Sequence, residues 1–301
     1  MIQVQYISNA AIDRVLWDNC IKNSTSNLIY GQSIYLDAMA ENWDAIIVNN
    51  YEAVIPLPYK KKWGIKYLYM PAFIQQLGLF TTNKNIVFSD VLPLLKANFK
   101  YVDLCLNFSN SGIEKSIAKT NFVLPMSNNY NFYAENYKSD LKKNLKKSNK
   151  ENLLYQKNTD LEIAIALYKT NYKDRHKSIT NKDYSNFEQL CTKLKIVDKV
   201  FTRAVYNSAN EILAIALFLF DGKRMYNVMN TTTSGGKIVA ANHFLFDKII
   251  EEFAGSNYIL DFEGSDLPGV KSFYEKFCPL DEPYFYLKIN NLHPILKLLK
   301  K

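Results

Sequence analysis

Two carboxylates close an otherwise apolar run in Leu260-Asp261-Phe262-Glu263-Gly264-Ser265. The residues leading into it, Tyr258–Phe262, read as a strand, where burying an unpaired carboxylate is costly. Charge held in such a place points to chemistry. A carboxylate of raised pKa can act as a general base and take a proton from an attacking nucleophile. Asp261 and Glu263 are therefore candidate catalytic residues. Two other uses fit the same pair: recognition of a cationic acceptor and, for Asp261, capping and positioning of the loop.

A second candidate lies upstream, in Thr231-Thr232-Thr233-Ser234-Gly235-Gly236-Lys237. Glycines let a ligand approach the backbone closely, and amides at the start of the following helix attract anions. Lys237 adds a charge. Thr233, Ser234, Gly235, Gly236 and Lys237 are thus candidate anion-binding residues, with a plain flexible turn as the alternative. Arg175 and His176, in the polar stretch Asp174-Arg175-His176-Lys177, are candidates for lining an acceptor site, against the simpler account of a solvated loop. His243 opens a helix and either faces the donor or caps it. His176, His243 and His293 are far apart, and Cys20, Cys105, Cys191 and Cys278 are scattered, so no metal-ligand spacing is present.

The elements that must position these residues follow from periodicity and turn chemistry. Leu161–Tyr172 and Phe187–Leu194 read as helices. Val200–Tyr206, Ile212–Phe220 and Arg224–Thr231 read as three strands, the last two joined by Asp221-Gly222, a strong hairpin signal. Thr232–Gly236 reads as a loop, Ala241–Phe253 as a helix, Val270–Phe277 as a short helix and Tyr284–Ile289 as a final strand. The first half is also mixed: strands at Val4–Ile7, Trp43–Val48, Glu52–Pro58, Lys66–Met70, Leu77–Phe80 and Tyr101–Phe108. Helices are expected at Ala11–Ile21, Gln32–Ala40 and Val87–Phe99. No catalytic motif emerges there.

Length and composition set outer bounds. The 301 residues are 48% hydrophobic and 14% aromatic, enough for a real core in one large or two ordinary domains. Of 37 basic residues only Arg14, Arg175, Arg203 and Arg224 are arginine, and the rest are lysine. The net charge of +8 suits either an anionic ligand or the composition bias of an AT-rich genome. No signal peptide is visible, and no apolar run approaches the roughly 20 residues a spanning helix needs. A reduced, cytoplasmic protein is expected.

The order of strand trio, loop, helix, strand, helix and strand resembles the core of the GNAT acyltransferases. Val270-Lys271-Ser272-Phe273-Tyr274-Glu275-Lys276-Phe277 is similar to a stretch of many such enzymes in which the Tyr protonates the departing thiolate. That resemblance gives Tyr274 a catalytic role, although Cys278 stands where a Gly is usual. It also places donor pyrophosphate at Thr231–Lys237, which lacks the family's glycine signature. The whole chain looks like the tandem FemABX-like branch, with Ser139–Ser148 similar to the basic helix that often opens its second domain. The resemblance implies an α/β fold of mixed sheets, two GNAT-like domains in tandem, residues 1–135 and 136–301. It implies transfer of an acyl group from a CoA thioester, acetyl-CoA foremost, to a small-molecule or peptide amine. The alternatives are an aminoacyl-tRNA-dependent transferase acting on a peptide or cell-wall precursor, with tRNA as partner, and a non-catalytic binding module on the same scaffold.

Overall fold

The computed structural model describes residues 2–174, 177–264 and 266–294. The chain forms two compact units: residues up to Lys119 together with those from Pro283 on, and Thr120–Glu282. The division therefore falls at Lys119/Thr120, upstream of the expected 135/136. The fold is mixed α/β in both units.

The first unit runs β1 (Val4–Ile7), α1 (Arg14–Asn23), α2 (Ser33–Met39), β2 (Trp43–Val48), β3 (Ala53–Lys62), β4 (Ile65–Leu68), β5 (Phe80–Thr81), α3 (Phe88–Asn98), β6 (Tyr101–Leu106) and β7 (Ile117–Lys119). Strands β1 to β4 form a meander, with β5 beside β3. The β2 strand is buried along its whole length and is apolar except for Asp44, which pairs with Lys66 at 3.0 Å. Asp13 caps α1 by accepting from Val15 N at 2.9 Å and Leu16 N at 3.1 Å, which is why α1 begins later than Ala11.

One strand overturns an expectation. The last, β15 (Tyr284–Asn290), was expected to end the second-half core, but it lies between β6 and β7 of the first unit. Its Leu287 and the facing Leu104 belong to that unit's apolar core. Alternation of apolar residues fixes a strand but says nothing of its partner.

The second unit runs β8 (Phe122–Pro125), α4 (Tyr130–Asn136), α5 (Ser139–Ser148), β9 (Leu154–Lys157), α6 (Leu161–Tyr172), α7 (Asn181–Lys195), β10 (Val200–Tyr206), β11 (Ile212–Phe220), β12 (Arg224–Thr232), α8 (Ser234–Ile238), α9 (Ala241–Phe253), β13 (Ile259–Asp261), α10 (Pro268–Tyr274) and β14 (Leu280–Asp281). Its strands order as β14-β8-β13-β12-β11-β10-β9. All neighbours are antiparallel except β12 and β13, which α9 joins as a crossover. Asp221 makes the β11–β12 turn by accepting from Lys223 N at 2.8 Å and Arg224 N at 2.7 Å, while Gly222 takes a φ of 104°. Helix α7 begins at Asn181, earlier than Phe187, because Thr180 and Asp183 form a capping box. Helix α9 buries Phe244, Leu245, Phe246, Ile249 and Ile250 in the cluster that holds Ala214, Ala216 and Phe218 of β11. Small alanines at alternate positions leave room for those bulky side chains.

Candidate functional site

Strands β12 and β13 run parallel over Arg224–Tyr226 and Ile259–Asp261, and then part. The cause lies on both strands. In β12, Asn227 faces Phe218 and Met229 faces Leu217, so Val228 is an extra residue and the strand bends. Beyond β13, Glu263 adopts a left-handed φ of 55° and the chain turns away. Gly264 N donates to Asn121 Oδ1 at 2.7 Å. A Cβ on Gly264 would sit 2.5 Å from Asn121 Cα and 2.7 Å from Thr120 O, so only glycine fits there. From Asn227 on, this edge of β12 has no strand partner among the described residues. Backbone groups there can meet a ligand instead.

Side chains from three elements meet at this parting. Asn227 is 4% exposed and donates from Nδ2 to the Tyr274 hydroxyl at 2.8 Å. Tyr274 accepts in that bond, so its own proton is left to donate elsewhere. The Asn227 Oδ1 and the Glu263 Oε1 are buried acceptors with no donor among the described residues. Glu263 as a residue keeps partial exposure, but burial of its carboxyl pushes the pKa up to about 8. Tyr274 is raised above the ordinary phenol value, first by burial and then by the nearby Tyr172, with Tyr168 and Glu263 adding to the effect. The Tyr274 ring lies 4.7 Å from Phe262 and 5.7 Å from Phe246, which fixes its direction. Helix α6 thus contributes Tyr168 and Tyr172 to the surroundings of the same hydroxyl.

Asp261 differs from Glu263. It is 1% exposed, its Oδ2 accepts from Arg224 Nη1 at 2.7 Å, and its Oδ1 accepts from Glu263 N at 2.9 Å. Arg224 also donates to both Glu282 oxygens, at 2.6 and 3.1 Å. Asp261 is held in an ion pair and braces the turn that carries Glu263. Of the uses read from sequence, positioning fits its geometry best.

The structure thus brings Asp261, Glu263 and Tyr274 together. The donor-loop candidates stand elsewhere. In place of a loop, β12 continues to Thr232 and Thr233 caps α8, its Oγ1 accepting from Gly236 N at 3.1 Å. Gly236 is buried, and a Cβ there would lie 2.0 Å from Leu213 O, so this glycine serves the packing of α8 on β11. Ser234, Gly235 and Lys237 are exposed. Thr233 stands six positions beyond Asn227, about 20 Å of extended chain. Arg175 and His176 lie outside the described residues. His243 is held neutral, its pKa brought down to about 4 by burial and then by Lys276, whose Nζ lies 3.5 Å from Nε2. No group of His, Cys, Asp and Glu among the described residues is arranged to hold a metal ion.

Asn227, Arg224, Asn121, Glu282, Tyr168 and Tyr172 were not legible as site residues. The Asp221-Gly222 turn fixed where β12 begins, but a lone Asn or Arg in a strand carries no signal of its own.

No protein-family model matches the chain, and no curated protein matches it in sequence. Among solved structures, FemX matches with a TM-score of 0.66 at 13% identity, covering 99% of this chain and 100% of that one. The chain has the FemX fold. The same architecture recurs in L-PGS from Bacillus licheniformis, with a TM-score of 0.53, 10% identity and 95% of each chain covered. It recurs again in the C-terminal DUF2156 domain of a proposed lysylphosphatidylglycerol synthetase from Agrobacterium fabrum, at 0.53, 11% identity, and 95% and 96% coverage. These likenesses span the chain nearly end to end, so the FemX-like fold includes both units. The mixed α/β fold expected from the sequence is the one observed. No described helix is long and apolar enough to cross a membrane.

Proposed function

We propose that the chain is an acyltransferase that moves an acyl group onto an amine nitrogen at the parting of β12 and β13. The observation that carries this is the buried Glu263 carboxyl, whose Oε1 meets no donor among the described residues and which is close enough to the Tyr274 hydroxyl to influence its ionisation. The amine nitrogen attacks the acyl carbon, a C–N bond forms and the bond from that carbon to the leaving oxygen or sulfur breaks. The nitrogen's proton passes to Glu263, and Tyr274 gives its own proton to the leaving atom. A base with a pKa of about 8 and a phenol that stays protonated at neutral pH suit these two tasks. Asp261 and Arg224 hold Glu263 in place.

The donor is proposed to be an aminoacyl ester of tRNA. Two observations support it: the end-to-end likeness to FemX, and the use of Gly236 for packing where a pyrophosphate loop was expected. A CoA thioester, acetyl-CoA foremost, is the second reading, favoured by the anion-attracting start of α9. The acceptor is proposed to be a small-molecule or peptide amine. The test incubates the full chain with a labelled pool of charged tRNAs, or with labelled acetyl-CoA, and a lysine-containing peptide. Label is expected on the peptide from charged tRNA. Label from acetyl-CoA alone would replace the first donor by the second. Label from neither, with no protection by either against thermal unfolding, would leave a binding module on this scaffold.

Tyr274→Phe separates a proton donor from a core aromatic. The ring contacts with Phe262 and Phe246 survive, and only the bond from Asn227 is lost, at a cost of about 1 kcal/mol. Transfer is expected to fall about 100-fold with a small change in Tm. An unchanged rate would return Tyr274 to a structural role.

A further inference from the structure

The hairpin of β3 and β4 in the first unit ends in a feature that the proposed transfer does not use. Tyr59-Lys60-Lys61-Lys62-Trp63-Gly64-Ile65-Lys66 lies in a stretch, residues 53–89, with no Asp or Glu at all. The strands pair Lys60 with Tyr67, Lys61 with Lys66 and Lys62 with Ile65, leaving Trp63 and Gly64 as a two-residue turn. Both turn residues have positive φ, 50° and 75°. Asn-Gly is the usual choice for such a turn, and a bulky aromatic in a left-handed position is disfavoured. Trp63 is nevertheless 62% exposed, with the Lys62 ammonium 4.6 Å above its ring. The remaining tryptophans, Trp17 and Trp43, are buried at 0% and 3%.

The charge around it is unevenly compensated. Lys60 pairs with Glu41 at 3.8 Å and Lys66 with Asp44 at 3.0 Å. Lys61 and Lys62 are exposed and make no ion pair among the described residues. The tip therefore presents one tryptophan beside two uncompensated ammonium groups on long stems. Indole sits at the boundary between headgroups and acyl chains, and lysine stems reach back from there to anionic headgroups. A nucleic acid would ask for more, a groove that tracks its backbone and a run of stacking rings, whereas this tip offers a single exposed ring. We infer that the β3–β4 hairpin tip docks the protein onto an anionic lipid bilayer, with Trp63 entering the interface and Lys61 and Lys62 on the headgroups.

The test uses the full chain with vesicles of equimolar phosphatidylglycerol and phosphatidylcholine, beside vesicles of phosphatidylcholine alone. Sedimentation with the anionic vesicles is expected, weakening as salt rises. Bromine-labelled acyl chains should quench part of the tryptophan emission, and that part is Trp63 because Trp17 and Trp43 are buried. Trp63→Ala should remove the quenching and weaken binding about tenfold, at unchanged thermal stability because the ring packs on no core. Lys61→Gln and Lys62→Gln should each weaken binding about fivefold. Absence of binding to the anionic vesicles would overturn the inference, as would binding that all three substitutions leave unchanged. Saturable binding of single-stranded RNA with Trp63 quenched, and none to vesicles, would replace the bilayer by a nucleic acid.

Discussion

Replacing Glu263 by Gln should stop transfer and, above neutral pH, make the protein more stable. The two effects have one origin. Burial raises the Glu263 pKa to about 8, from the ordinary 4.5, and no donor among the described residues meets its Oε1. The unfolded chain releases this proton near pH 4.5 and the folded chain near pH 8. Folding therefore favours the neutral carboxyl fully below pH 4.5, and that contribution is lost as the pH rises to about 8. Above it the native protein carries a buried charge that the Gln variant lacks. Thermal unfolding from pH 4 to 9 should show the two proteins converging at the acid end. At pH 9 the variant should melt several degrees higher, a difference of a few kcal/mol. Transfer by the native protein should rise with a midpoint near pH 8, and the variant should be about 100- to 10,000-fold slower with no such midpoint. An equal stability difference at every pH would mean that the carboxyl is not desolvated.

Arg224→Met should be the most damaging single change in the second unit. The Arg224 side chain is 8% exposed and holds Asp261, at 1%, and Glu282, at 22%. Burial alone would lower its pKa, but the two carboxylates more than offset that and raise it. Without the guanidinium, two partly or fully buried carboxylates remain uncompensated, which costs about 3–5 kcal/mol. Urea unfolding should report that loss as a lower midpoint at unchanged slope. Arg224→Lys keeps a charge but cannot satisfy three oxygens with a planar fork, so an intermediate loss is expected. Adding Asp261→Asn and Glu282→Gln to Arg224→Met should recover part of the stability. Transfer should not return with it, because Asp261 no longer braces Glu263. No recovery would point to lost packing of the arginine stem in place of lost charge.

The sequence carried local order well and long-range pairing poorly. Leu161–Tyr172, Val200–Tyr206, Ile212–Phe220 and Ala241–Phe253 are bounded as expected, because each has a clear apolar period or a turn residue at its end. Asp261, Glu263 and Tyr274 stood out because charge at an apolar strand end, and a family-like helix, are signals within a few residues of each other. Asn227 and Arg224 did not, since their meaning comes from the register of β12 against β13, set by a crossover helix. The Thr233–Lys237 segment reads as a loop although Thr233 is a good capping residue. Two adjacent glycines argued for flexibility, and only the closeness of Leu213 O shows that Gly236 is there for contact. The partner of β15 was equally invisible.

That strand has a consequence for the order in which the protein is made. The second unit occupies Thr120–Glu282 without interruption, whereas the sheet of β6, β15 and β7 waits for its middle strand, Tyr284–Asn290. A ribosome releases β6 and β7 before the second unit and their shared neighbour after it. The unit that begins first is thus completed second, its two outer strands left without the strand that joins them until the whole intervening fold has been made.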